Sequence, residues 1–171
     1  MSLIVLLGGA RSGKSARAVD LAERRGGPVT FVATAEAGDA EMATRIAAHR
    51  ASRPAGWATR EEPLDVVGAI SRVDPESTVV LDCLTLWTAN AIARGDTDAD
   101  VERHAREAAA AAAERAGLTV AVGNEVGLGL VPDTPLGRRY RDLLGRVNTI
   151  WVDAADEAFF VVAGRSLRLE P

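Results

Sequence analysis

Short apolar runs alternate along this chain with longer amphipathic stretches, and the two periodicities predict different elements. Leu3–Leu7, Val29–Ala33, Thr78–Leu81, Thr119–Val122 and Ala158–Val162 are near-continuous apolar segments rich in β-formers, and each reads as a buried strand. Helical spacing covers about Lys14–Arg25, Asp39–Arg53, Leu64–Ser71, Leu84–Arg94, Asp98–Ala116 and Pro135–Asp153. Gly26-Gly27-Pro28 ends the first of these and Pro54 stops the second. Ala108–Ala113 is compositionally simple, but alanine is the best helix former, so it belongs to a long helix. Gly164-Arg165 predicts a turn into a last short strand, Ser166–Leu169, antiparallel to its neighbour. Apolar strands separated by helices predict an α/β fold, a mainly parallel sheet covered on both faces. Such sheets bind ligands at the carboxyl ends of their strands, which collects Gly8–Ser15, Ala33-Thr34-Ala35, Asp82 and Asn124-Glu125 along one edge.

Composition narrows the picture little. The 171 residues predict one domain, 1–171, large enough for a substantial core. Twenty basic against twenty-four acidic side chains give a net charge of −4, without the basic face that nucleic-acid binding needs. The single cysteine, Cys83, forms no intramolecular disulfide, and no Cys/His spacing resembles a zinc site. A reducing cytoplasm fits that usage. The N-terminal apolar run is too short for a signal-peptide core or a membrane span.

The candidate chemistry begins at Gly8-Gly9-Ala10-Arg11-Ser12-Gly13-Lys14-Ser15, a G-x-x-x-x-G-K-S loop between a predicted strand and a predicted helix. Glycines let the backbone curl so that its N–H groups face phosphate oxygens, and the helix adds its own unpaired amides. Lys14 can reach the β- and γ-phosphates and the Ser15 hydroxyl can ligate Mg²⁺. These features predict a nucleoside-triphosphate site in a three-layer P-loop NTPase fold of the RecA-like kind. Asp82, closing the strand Val79-Val80-Leu81, is the expected acidic partner for the metal, although an aspartate there can equally cap the next helix, as can Thr85. Cys83 reads as a small buried apolar residue.

Of the two histidines, His104 sits in a charged stretch and reads as solvated. His49 recurs with Glu41, Arg45 and Arg53 at four-residue spacing, so they share a helix face, while Met42 and Ile46 fall on an adjacent face expected to pack inward. Arginines around His49 make a local anion site where an imidazole can attack phosphorus while guanidiniums neutralise developing charge. The same spacing also describes an ordinary solvated helix face. From these residues alone, three readings stand: a nucleotidyl-transferring enzyme, a P-loop kinase of another small molecule with His49 inert, and a non-catalytic nucleotide switch or RecA-like ATPase module.

Further blocks carry a resemblance. Beside the phosphate loop and Ala33-Thr34-Ala35 stand Asp39-Ala40-Glu41-Met42, Arg45-Ile46-Ala47-Ala48-His49-Arg50, Arg53-Pro54, Trp57 and Glu61-Glu62-Pro63. Asp82-Cys83-Leu84-Thr85, Asn90, Asn124-Glu125-Val126-Gly127-Leu128-Gly129-Leu130-Val131-Pro132, Tyr140-Arg141-Asp142 and Gly145-Arg146-Val147-Asn148 follow in order. Together they resemble the bifunctional adenosylcobinamide kinase/adenosylcobinamide-phosphate guanylyltransferase family of cobalamin biosynthesis. The resemblance implies phosphorylation of adenosylcobinamide by ATP or GTP. It also implies transfer of GMP from GTP to the resulting phosphate through a guanylyl-histidine at His49, giving adenosyl-GDP-cobinamide and pyrophosphate. It implies nucleotide contacts at Gly8 through Ser15, Ala33-Thr34-Ala35, Arg50-Ala51-Ser52-Arg53, Glu61 and Asp82, and a homotrimer. Trp57 is open between stacking on a ligand and packing. Asn124-Glu125 is equally open between binding substrate, ordering its loop and making a subunit contact. Arg138, Arg139 and Arg141 are candidates for phosphate that more often serve a helix surface.

Overall fold

The computed structural model describes residues 2–38, 40–51 and 53–170. Strands β1 (Leu3–Gly8), β2 (Val29–Ala33), β3 (Ala58–Glu61), β4 (Thr78–Asp82), β5 (Thr119–Asn124), β6 (Glu157–Val162) and β7 (Arg165–Leu169) form one sheet in the order β3-β2-β4-β5-β1-β6-β7. All neighbours pair in parallel except β6 and β7, which pair antiparallel as the terminal glycine turn predicts. The helices are α1 (Lys14–Arg25), α2 (Ala40–Ala51), α3 (Val66–Ser71), α4 (Leu84–Arg94), α5 (Asp98–Ala113) and α6 (Pro135–Asp153).

Strand alternation divides the core into two layers. Leu3, Val5 and Leu7 project with Val79, Leu81 and Ala121 toward α3–α6, whereas Ile4 and Leu6 project with Phe31, Val80 and Val120 toward Ala18 and Ala22 of α1. Both sheet faces are therefore covered, and the near-continuous apolar runs follow from that double burial.

Three elements depart from expectation. β3 has no predicted counterpart: Ala-Thr-Arg-Glu is polar because it is an edge strand pairing only with β2. The described side chains of α2 are exposed except Ile46, which is half-buried at a cavity rather than in the core. The expected inward packing of Met42 and the shared face of Glu41 and Arg45 concern side chains outside the described ones, as does Asp39 entirely. α5 stops at Ala113 instead of continuing to Ala116.

Beyond that stop, Arg115 turns back and donates from its two terminal nitrogens to the carbonyl oxygens of Ile70, Val73, Asp74 and Ser77, at 2.8–3.4 Å. It ties the end of α3 to the turn that follows, adding to the bonds that the Ile70 and Asp74 carbonyls already accept from the Val73 and Ser77 N–H groups. Replacing Arg115 with alanine is expected to destabilise the fold by about 2 kcal/mol, read as a lower urea midpoint at unchanged slope.

Candidate functional site: a phosphate loop facing a histidine helix

β1 runs straight into the glycine loop, and two glycines there are required by space and backbone angle. A Cβ on Gly8 would lie 2.2 Å from the Val161 carbonyl oxygen, and Gly13 adopts φ +101° against Gly164. The β6–β7 turn supports the loop from below, the Gly164 N–H donating to the Ser12 carbonyl at 2.9 Å. Lys14 is buried at the start of α1, and its Nζ donates to the Gly9 carbonyl at 2.7 Å. Burial lowers its pKa, opposed by the nearby Asp82 and Cys83.

Asp82 reaches the same place from β4. The Ser15 hydroxyl donates to its Oδ2 at 3.1 Å. Asp82 does not cap α4: Cys83 holds the cap position without a side-chain bond, and the Thr85 hydroxyl instead accepts from the Asn124 N–H at 2.7 Å. Burial raises the Asp82 pKa, and His49, the Ser15 hydrogen bond, Arg53 and Lys14 draw it back. A desolvated carboxylate beside a hydroxyl is a hard-oxygen pair suited to Mg²⁺. Among the described residues no cluster of three or more His, Cys, Asp or Glu forms a metal cage, so an ion held here would share its coordination with phosphate and water, as Mg²⁺ commonly does.

These groups open on a cavity of about 730 Å³. It is lined by Ala10 through Ala16, Ala33, Ala35, Ile46, Ala48, His49, Arg53, Asp82, Cys83, Leu86, Val122 and Asn124. Phosphate-loop residues and His49, from elements far apart in sequence, thus share one enclosure. Arg53 lies just past α2, its guanidinium carbon 3.4 Å from the Phe31 ring centroid and its Nε buried without a hydrogen-bond partner among the described residues. A cation–π contact steadies that charge at the cavity wall.

Other expected positions stand back from the cavity. Gly8, Gly9, Thr34, Arg50, Ala51 and Glu61 do not line it, and Ser52 lies outside the described residues. Thr34 is fully buried: its hydroxyl donates to the Cys83 carbonyl at 2.7 Å and accepts from the Cys83 N–H at 2.8 Å, binding the ends of β2 and β4 together. Asn90 donates to the Thr34 carbonyl at 2.8 Å and holds that junction from α4. Arg50 pairs with Glu61 at 3.7 Å, both exposed. Trp57 packs against the α1-side core.

Cys83 is half-buried rather than fully so, and burial raises its thiol pKa to about 11, leaving it protonated and unreactive near neutrality. His104 is not simply solvated. It is half-buried and lines a separate hollow of about 420 Å³ with Trp87, Arg94 and Glu107, because α5 turns that face toward α4. Arg138 donates to the Pro132 and Asp133 carbonyls, Arg139 pairs with Asp98 and Arg141 with Asp142, so helix-surface contacts occupy all three. Missed by residue reading were Phe31, which needs the cation–π geometry to be noticed, and Leu86. No described helix is long and apolar enough to cross a membrane.

Comparison with known proteins agrees with this geometry. The fold is similar to that of flagellar accessory protein FlaH from Methanocaldococcus jannaschii, with a TM-score of 0.52 at 14% identity over 99% of this chain and 78% of that one. It is also similar to an ATPase of a bacterial type III secretion system, with a TM-score of 0.53 at 11% identity over 98% and 56%. In sequence the chain is 42% identical to the bifunctional adenosylcobalamin biosynthesis protein CobP of Pseudomonas aeruginosa, across 97% of this chain and 96% of that one. It is 35% identical to the bifunctional adenosylcobalamin biosynthesis protein CobU of Escherichia coli, across 98% and 99%. The family model described as cobinamide kinase/cobinamide phosphate guanyltransferase matches residues 4–169. From the phosphate loop to the last strand, therefore, this chain belongs to the cobinamide kinase/cobinamide phosphate guanyltransferase family.

Proposed function

We propose that this protein phosphorylates adenosylcobinamide with ATP or GTP and then transfers GMP from GTP to adenosylcobinamide phosphate. The products of the second reaction are adenosyl-GDP-cobinamide and pyrophosphate. One observation carries the reading: Lys14, Ser15 and Asp82 share a cavity with His49. The first three suit phosphoryl transfer, which is mostly positioning and charge neutralisation. Ser15 and Asp82 would hold Mg²⁺, which when bound neutralises charge on the phosphates.

Guanylyl transfer attacks the α-phosphorus instead and needs a nucleophile that the loop lacks. In this reading a ring nitrogen of His49 bonds to the α-phosphorus as the bond to the bridging oxygen breaks and pyrophosphate leaves with the electron pair. A phosphate oxygen of adenosylcobinamide phosphate then displaces the imidazole. The covalent stage divides one difficult displacement into two, and Arg53 supplies positive charge beside it. Nucleotide contacts are assigned in the same reading to Gly8 through Ser15, Ala33-Thr34-Ala35, Arg50 through Arg53, Glu61 and Asp82.

We take the chain to act in the cytoplasm as a single-domain subunit of a homotrimer. Leu128, Leu130, Val131 and Leu136, all strongly exposed along the segment after β5 and the start of α6, support burial against another subunit. The catalytic reading is tested by incubating the protein with α-labelled GTP and Mg²⁺. Acid-labile, alkali-stable label on the protein, discharged by adenosylcobinamide phosphate, is the expected result. Absence of label from a preparation active as a kinase counts against the histidine route.

A further inference from the structure

β5 lies between β1 and β4, so its carboxyl end falls between the phosphate loop and the strand that carries Asp82. The register sets Asn124 opposite Gly8 and Val122 opposite Asp82. The backbone of Asn124 is fixed from both sides: its N–H donates to the Thr85 hydroxyl at 2.7 Å, and its carbonyl accepts from Asn148 Nδ2 at 3.0 Å. The next residue is fixed as well, the Glu125 N–H donating to the Gly8 carbonyl at 3.0 Å.

The two members of the Asn124-Glu125 pair then diverge. Glu125 Oε1 accepts from the Gly127 N–H at 2.6 Å and orders its own loop. The Asn124 carboxamide makes no hydrogen bond to the described residues, and Asn124 lines the cavity beside Lys14, Ser15 and Asp82. A half-buried amide with a rigidly held backbone and no partner among the described residues is a polar group kept for a ligand.

We infer that Asn124 is a substrate-touching residue of the kinase reaction: its carboxamide donates to a γ-phosphoryl oxygen and accepts from the attacking hydroxyl of the corrinoid side chain. This inference rests on the proposed function and assigns a part of it. A carboxamide carries both donors and acceptors, so one side chain can hold nucleophile and target together. In the step itself the hydroxyl oxygen bonds to the γ-phosphorus while the β,γ-bridging bond breaks. The nucleoside diphosphate departs with the electron pair and the hydroxyl proton passes to water. Asn124 transfers no proton.

The test compares wild type, Asn124→Ala and Asn124→Asp in adenosylcobinamide phosphorylation, protein labelling by α-labelled GTP, and thermal midpoint. Asn124→Ala is expected to lower kinase kcat about 100-fold, with a much smaller effect on nucleotide KM and on labelling, where only the γ-phosphoryl contact is missing, and little change in thermal midpoint. Asn124→Asp, equal in shape but lacking the donor and repelling phosphate, should lower it at least as far. An unchanged kcat in Asn124→Ala overturns the inference, as does an equal fall in kcat and labelling accompanied by a lost thermal midpoint. A wild type that phosphorylates no adenosylcobinamide overturns the proposed function and this assignment together. A wild type active in both reactions beside a fully active Asn124→Ala overturns the assignment alone.

Discussion

Replacing Lys14 with alanine is expected to lower both kinase turnover and α-label incorporation by roughly 100- to 1,000-fold. In the proposed function both reactions begin with the same bound triphosphate, and Lys14 is the buried cation of the loop assigned to hold it. Its Nζ donates to the Gly9 carbonyl at 2.7 Å and lies 3.5 Å from Ser12 Oγ. The ammonium is thus already among the loop atoms, and an incoming phosphate offers it a charged acceptor in place of a neutral one. Loss of this charge should appear in both nucleotide affinity and turnover, since it acts on the ground-state triphosphate and on the transition state. The fold should survive, because burial already disfavours the charged amine, and the Asp82 carboxylate that loses Lys14 keeps His49, Ser15 and Arg53 beside it. Equal activity in mutant and wild type would remove the loop from the mechanism.

A different pattern is expected for His49→Ala. Labelling by α-labelled GTP should disappear, on the roughly million-fold scale reached when a covalent nucleophile is deleted, whereas adenosylcobinamide phosphorylation should stay within several-fold of wild type. His49 lies on α2, whose described side chains are mostly exposed, so the substitution leaves the packed layers intact. The two substitutions together separate a shared triphosphate site from a nucleophile that serves one reaction. Retention of label in His49→Ala would sink the guanylyl-histidine. A parallel collapse of the kinase reaction would assign His49 to phosphate binding instead.

Much of this molecule was legible in its residues. The phosphate loop, its strand and its helix are a local pattern, because the residue types, the start of α1 and the placement of Lys14 are set within a dozen neighbours. The crowding at Gly8 and Gly13 instead comes from Val161 and Gly164 at the far end of the chain. Burial on both sheet faces made β1, β2, β4 and β5 near-continuously apolar, so they were visible without partners. β3 was invisible for the converse reason: as an edge strand it buries little, and only its pairing with β2 makes it a strand. Long-range clamps escaped likewise. Arg115 reads as one more helical arginine until the carbonyls of Ile70 and Ser77 are brought to it, and the clamp of Thr34 on Cys83 exists only once β2 and β4 pair in the sheet.

By itself the sequence determined the chemistry available: a triphosphate loop, an acidic strand end and a histidine among arginines, each encoded by residue type and short spacing. Tertiary structure alone decided which of these meet. Asn124 and Glu125 were indistinguishable as neighbours in sequence and separated only when β5 entered the sheet between β1 and β4, turning one side chain to the cavity and the other to its own loop. Strand order is a property of contacts between distant segments, and no local periodicity records it.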